Sequence, residues 1–125
     1  ISARLENILL DFVLRNTDYS HVATVYVGLF TADPGDVGTA YEVTGGAYAR
    51  KAVGFQAAAA GTIYSTGTVT FDAATASWGT ITHLGLFEAA TGTSALWTGA
   101  LDAPRSIGSG SVVSFPASAI AVTLE

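Results

Sequence analysis

Two stretches constrain the fold more than anything else in the chain. They are Ala23-Thr24-Val25-Tyr26-Val27-Gly28-Leu29-Phe30-Thr31-Ala32 and Ile81-Thr82-His83-Leu84-Gly85-Leu86-Phe87-Glu88-Ala89. Both are rich in β-branched or aromatic residues, both carry Gly-Leu-Phe, and both run into a Gly-containing turn. Strand alternation sends Val25, Val27 and Leu29 to one face and Tyr26, Gly28 and Phe30 to the other. In the second copy Leu84 and Leu86 oppose His83, Gly85 and Phe87 in the same way. A mid-strand glycine weakens a strand unless a backbone or a ring must come close there. Its recurrence at the same place therefore predicts a shared packing notch, with the two strands as central members of two facing sheets.

The chain of 125 residues fits one domain, 1–125, with a helix and connection over 1–20 and a β core over 21–125. Charged residues make up 12% against 50% hydrophobic, about half the usual charged share. So few charges predict a surface partly covered by partners. Net charge is −5, and Arg4, Arg15, Arg50, Lys51 and Arg105 are scattered, which argues against nucleic-acid binding. Cysteine is absent, so disulfides and thiolate metal sites are excluded. Glu6 and Asp11 interrupt the first apolar stretch, and neither a membrane span nor a signal peptide is expected.

Residues 3 to 16 read as a helix capped by Ser2. Arg4, Asn7, Asp11 and Arg15 form a polar stripe; Leu5, Ile8, Leu9, Phe12 and Val13 form an apolar face. That face suits a lid on a sandwich edge or a docking helix for a neighbouring subunit. Asp33-Pro34-Gly35-Asp36 is a turn rather than a calcium loop, which needs 6 to 8 oxygens. Strands are predicted at 41–44 and 48–55 around a Gly45-Gly46 hairpin, then at 68–71 and 80–88. Residues 94–101 read as the hairpin partner of 80–88, residues 103–110 as a connection, and 111–116 and 120–124 as closing strands. Seven to nine short strands with little helix predict an all-β fold. It would be an antiparallel β-sandwich, jelly-roll-like, with one N-terminal α-helix.

The residues specify no catalytic machine, and no catalytic, cofactor or metal site is assigned. His21 and His83 do not stand at metal-ligand spacing, and His83 reads as a core or interface residue. G-x-S-x-G, G-x-G-x-x-G and the P-loop are absent. Glycoside hydrolysis needs two nearby carboxylates, and among Asp72, Glu88, Asp102 and the others the sequence selects no pair. Trp78, Trp97 and the tyrosines read as core anchors and interface residues rather than a sugar-stacking row.

A longer set of motifs carries a family likeness. These are Leu5-Glu6-Asn7-Ile8-Leu9-Leu10-Asp11 with Arg15-Asn16-Thr17, Tyr26 to Pro34, Glu42-Val43-Thr44-Gly45-Gly46-Ala47-Tyr48-Ala49-Arg50, Trp78 to Gly92, and Ala119 to Leu124. Together they resemble small tailed-bacteriophage proteins of about this length, often labelled tail fibre proteins. The resemblance implies a non-enzymatic structural part of a virion. The first expectation is a decoration or cement protein on the head, burying surface against the major capsid protein and its own copies. The alternative is a tail fibre, tail-tip or adaptor component touching tail proteins or a host receptor; a carbohydrate-binding module or small hydrolase ranks below both. A homo-oligomer is expected, a trimer being one candidate, with no cofactor. Arg4, Asn7, Asp11, Tyr41, Tyr48 and Arg50 are the expected partner contacts.

Overall fold

A computed structural model describes residues 1–20, 24–36 and 40–124; His21 lies outside them. The chain forms α1 (Ala3–Leu14), then β1 (Val25–Phe30), β2 (Lys51–Val53), β3 (Thr62–Tyr64) and β4 (Val69–Thr70). It continues through β5 (Gly79–Phe87), β6 (Trp97–Ile107), β7 (Ser114–Phe115) and β8 (Ala121–Thr123). Every pairing is antiparallel: a four-stranded sheet in the order β2-β1-β5-β6, and two-stranded ribbons β3-β8 and β4-β7. The all-β expectation with one N-terminal helix holds.

The two Gly-Leu-Phe strands are not in facing sheets, as the sequence suggested, but are hydrogen-bonded neighbours at the centre of one sheet. Gly28 stands directly opposite Gly85, with Tyr26 opposite Phe87 and Phe30 opposite His83. The expected notch is real, and its two halves meet. Phe30 and Phe87 stack over it, centroids 5.9 Å apart and planes 18° from parallel. A Cβ at Gly85 would lie 2.6 Å from the Phe30 ring, and one at Gly28 would lie 2.7 Å from the Phe87 ring. Each ring thus covers the glycine of the neighbouring strand.

Alternation then divides the protein into two cores. Val27, Leu29, Ile81 and Leu86 face Val69, Phe71, Phe115 and Ile120 of the ribbons and their flanks, with Trp78 among them. The other side of the sheet carries the smaller cluster Phe30, Phe87 and Ala95, with Tyr26 against it. At roughly 1.5–3 kcal/mol for each large apolar side chain removed from water, the first cluster supplies most of the drive to fold.

Three expected boundaries are corrected. The helix stops at Leu14 rather than 16, and Asn16 takes φ 54° just beyond it. Gly45-Gly46 does not join two strands: of residues 41–50 only Glu42 makes an isolated bridge, to Phe30, and β2 pairs with β1. The supposed connection after residue 103 is strand, because β6 runs on to Ile107. Pro104 is tolerated because β6 is an edge strand whose register slips there. Ile81 pairs Arg105 while His83 pairs Ala100, so the extra residues bulge out and need no ladder bond. The turn at Asp33 forms as read, Gly35 N–H donating to Asp33 Oδ1 at 2.9 Å.

Candidate functional site

Beside the small core two glutamates, Glu42 and Glu88, each hold one of the chain's five cations. On the β2 side β1 is paired only from Val25 to Val27, which leaves the Leu29 N–H without a strand partner there. Tyr48 meets it: its hydroxyl accepts from Leu29 N–H at 3.0 Å and donates to Glu42 Oε2 at 2.7 Å. Arg50 grips the same carboxylate with two prongs, Nε and Nη2 each at 2.8 Å. Its Nη1 donates to the carbonyls of Ala89, 2.9 Å, and Gly92, 2.8 Å. The guanidinium carbon lies 3.4 Å from the centroid of the Phe87 ring. Arg50, Phe87 and Phe30 therefore form one stack, ending on the glycine notch. Planar, delocalised Arg suits this site because it satisfies a fork, two carbonyls and a ring at once.

The backbone that brings Tyr48 and Arg50 here is left-handed at three successive residues, Gly45 (φ 75°), Gly46 (φ 60°) and Ala47 (φ 66°). It points the Gly46 carbonyl at Trp78 Nε1, 2.9 Å away, where any Cβ on Gly46 would sit 2.8 Å from that nitrogen. Burial, and then the hydrogen bond to Glu42, raise the Tyr48 pKa well above the ordinary phenol value of 10. A raised folded-state pKa stabilises fully below pH 10 and loses that contribution as pH climbs beyond it. The wild type should therefore lose stability above pH 10, and Tyr48→Phe should flatten that fall in denaturation curves taken across pH 9 to 12. An unchanged slope in the variant would contradict the assignment.

The second glutamate, Glu88, ties down the helix. It accepts from Arg4 at the first turn of α1 and from the Tyr19 hydroxyl. The hydrogen bond to Glu88 is the chief reason the Tyr19 pKa is raised. Ser2 caps the helix through Leu5 N–H, 3.3 Å, and its own N–H donates to the Leu96 carbonyl at 2.9 Å. Only the root of the helix is held: Leu5 is buried, Ile8 and Leu9 are half-buried, and Leu10, Phe12, Val13 and Leu14 are exposed. Phe12 and Val13, placed by the sequence on the apolar face that suits either a lid or a docking helix, are not covered by the body.

The six expected contact residues fall into separate groups. Asn7 and Tyr41 are exposed, Tyr41 at φ 67°. Arg4 is paired with Glu88, and Asp11 with Arg15 at 3.0 Å. Tyr48 and Arg50 turn inward, the Arg50 side chain only 6% exposed, so their direct work is to hold the loop that carries Tyr41 and Glu42. Sequence reasoning missed Glu42 and Glu88, the acceptors at the centre of both clusters. For Glu42 the signal was there, since its motif also supplies Tyr48 and Arg50; for Glu88 it was not, since Arg4 and Tyr19 come from a distant part of the chain.

Elsewhere His83 is half-buried, with Thr82 Oγ1 2.8 Å from its Nδ1, and Asp72 pairs with Lys51 at 2.9 Å. Among the described residues no group of three or more His, Cys, Asp or Glu is placed to hold a metal, and no helix is long and apolar enough to cross a membrane. Trp78 is buried and Trp97 half-buried. The two glutamate clusters fix loops and the helix root and neutralise charge.

A small, charge-poor β protein with internally paired ions and a helix held only at its root fits the class of structural virion parts. Over residues 1–123 the sequence matches the family described as podophage GP4 fiber I protein gp80. The chain belongs to this family, and it is a structural component of the phage virion. No curated protein matches it.

Proposed function

We propose that this chain is a fibre component of a podophage tail, acting without catalysis as a single β-sandwich domain that joins other virion proteins by burying surface. The family's description as a fibre protein is the observation that carries this reading. The exposed apolar helix tip supports a burying role, since a soluble monomer has no use for four such side chains in one place. Asn7, Asp11 and Tyr41 are the proposed contact groups, with Arg4 positioning the helix and Tyr48 and Arg50 positioning the Tyr41 loop. Decoration of the head is the second reading. It draws on the same low charge and exposed helix, but not on the family's description.

An asymmetric cryo-EM reconstruction of the particle tests the choice. The expected result is density for the four-stranded sheet and its projecting helix on the tail apparatus. Density on the capsid lattice would replace the first reading with the second, and density at neither place would overturn both.

A further inference from the structure

The four-stranded sheet has two edges, and they end differently. On one side β2 is three residues long and carries Lys51. The chain beyond it is closed off by its own neighbours: Phe55 bridges Ser65, and Thr66 N–H donates to the Gly54 carbonyl at 2.9 Å. On the other side β6 runs for 11 residues, and among the described residues no strand pairs with its outer edge. Gly99, Ala100 and all of residues 102–106 are exposed. A long open edge is a template to which another extended chain can add through backbone hydrogen bonds.

We propose that Asp102-Ala103-Pro104, together with Arg105, is a guard that keeps the β6 edge from pairing with another copy of this chain. The strand register locates it. One residue, Thr82, separates Ile81 from His83 on β5, whereas four, 101–104, separate their partners Ala100 and Arg105 on β6. β6 therefore holds three residues more than β5 can match. Leu101 packs against the main core, which leaves exposed Asp102-Ala103-Pro104 as the excess. A kink of this size breaks the even row of N–H and C=O groups that an added strand needs, and Pro104 has no N–H to offer.

The charges point the same way. Four of the five cations, Arg4, Arg15, Arg50 and Lys51, are paired with carboxylates. Among the described residues Asp102 and Arg105 enter no ion pair. Arg105 instead donates to the Ser114 carbonyl at 3.4 Å and lies 5.3 Å from the centroid of the Phe115 ring. Two hydrated charges thus flank the proline on the open edge, and a strand added there would strip water from both. With residues 102–105 taken away, β6 would read Trp97-Thr98-Gly99-Ala100-Leu101-Ser106-Ile107, which has neither charge nor proline. Uncharged, proline-free segments of that kind are the ones that stack edge to edge. The guard goes beyond the placement of the chain, since it acts on tail and head alike.

Deleting residues 102–104 and replacing Arg105 with threonine tests it. The deletion restores a one-to-one register, Thr82 facing Leu101 and Ile81 facing the residue at 105, so the sheet is kept while its edge becomes straight and uncharged. Circular dichroism checks the fold. Analytical ultracentrifugation and amide hydrogen exchange then compare variant and wild type from micromolar to millimolar. The variant should associate at least tenfold more tightly than the wild type, with β6 amides becoming protected as concentration rises. Adding Ala100→Lys, which returns a charge to the same edge, should reverse this. The full-length variant Asp102→Thr, Pro104→Val, Arg105→Thr should fall between the two. In the wild type β6 amides should exchange at rates independent of concentration, a reading that needs no variant to fold. Edge variants that associate no more than the wild type, a lysine that changes nothing, or wild-type β6 amides that gain protection with concentration would each overturn the proposal. Particle location is read separately from the reconstruction, so the two failures are distinguishable.

Discussion

Replacing Glu42 with alanine is expected to lower the unfolding free energy by about 3 kcal/mol, measured by urea denaturation at neutral pH. The loss comes mainly from what is left behind. Arg50 would keep its two carbonyls and its ring but lose its only carboxylate, 2.8 Å away through two prongs, in a site where the side chain is 6% exposed. Tyr48 would lose its acceptor at the same time. An uncompensated buried charge usually costs about 3–5 kcal/mol, and the 20% exposure of the Glu42 side chain admits enough water to hold the figure at the low end. The double variant Glu42→Leu with Arg50→Met should recover a large part of the loss, because an apolar pair of similar size leaves no charge stranded. A loss below about 1 kcal/mol for Glu42→Ala would show that the clamp is not a stabilising unit.

Gly85→Val is expected to cost about 3 kcal/mol, at the upper end of what overpacking does, and Gly85→Ala about 1–2 kcal/mol. Even the alanine methyl would lie 2.6 Å from one Phe30 ring carbon and 3.2 Å from both another and the Phe87 ring. These rings cannot retreat, since they stack on each other and Arg50 covers the far side. Phe30→Ala opens the space, so combining it with Gly85→Val should cost less than the two single losses added together. Strict additivity would mean that the ring and the glycine do not meet as described. Glycine's entropic cost in a strand, roughly 0.5–1 kcal/mol against alanine, works in the opposite direction and is outweighed.

Much of this arrangement can be read from the residues themselves. The Gly-Leu-Phe echo marks two central strands, and alternation separates Val27 and Leu29 from Gly28 and Phe30 correctly, because the side-chain period of a strand is a local property. Which strand pairs with which is not local. Two similar strands serve equally well in facing sheets or side by side, and only the contact between Gly28 and Gly85 decides. The Glu42-to-Arg50 segment misleads for a different reason. Gly45-Gly46 is a good hairpin signal, but here its left-handed backbone serves the Trp78 indole and the descent of Tyr48 toward β1. Pro104 misleads as well, since proline normally ends a strand and only an edge bulge excuses it. The helix is legible in its cap, but amphipathic spacing does not reveal where the body beneath it ends, and so does not tell a packed lid from a helix held only at its root.

The facing glycines also act on how β1 and β5 find each other. A slip of one residue would carry a strand's apolar set to the wrong side of the sheet. A slip of two would keep the sides but part the two glycines, setting Gly28 opposite His83 or Phe87. Only the observed alignment sets the two glycines against each other, with each ring lying over the glycine of the neighbouring strand. The facing glycines thus favour one register during strand assembly and disfavour misaligned forms that would expose apolar edges.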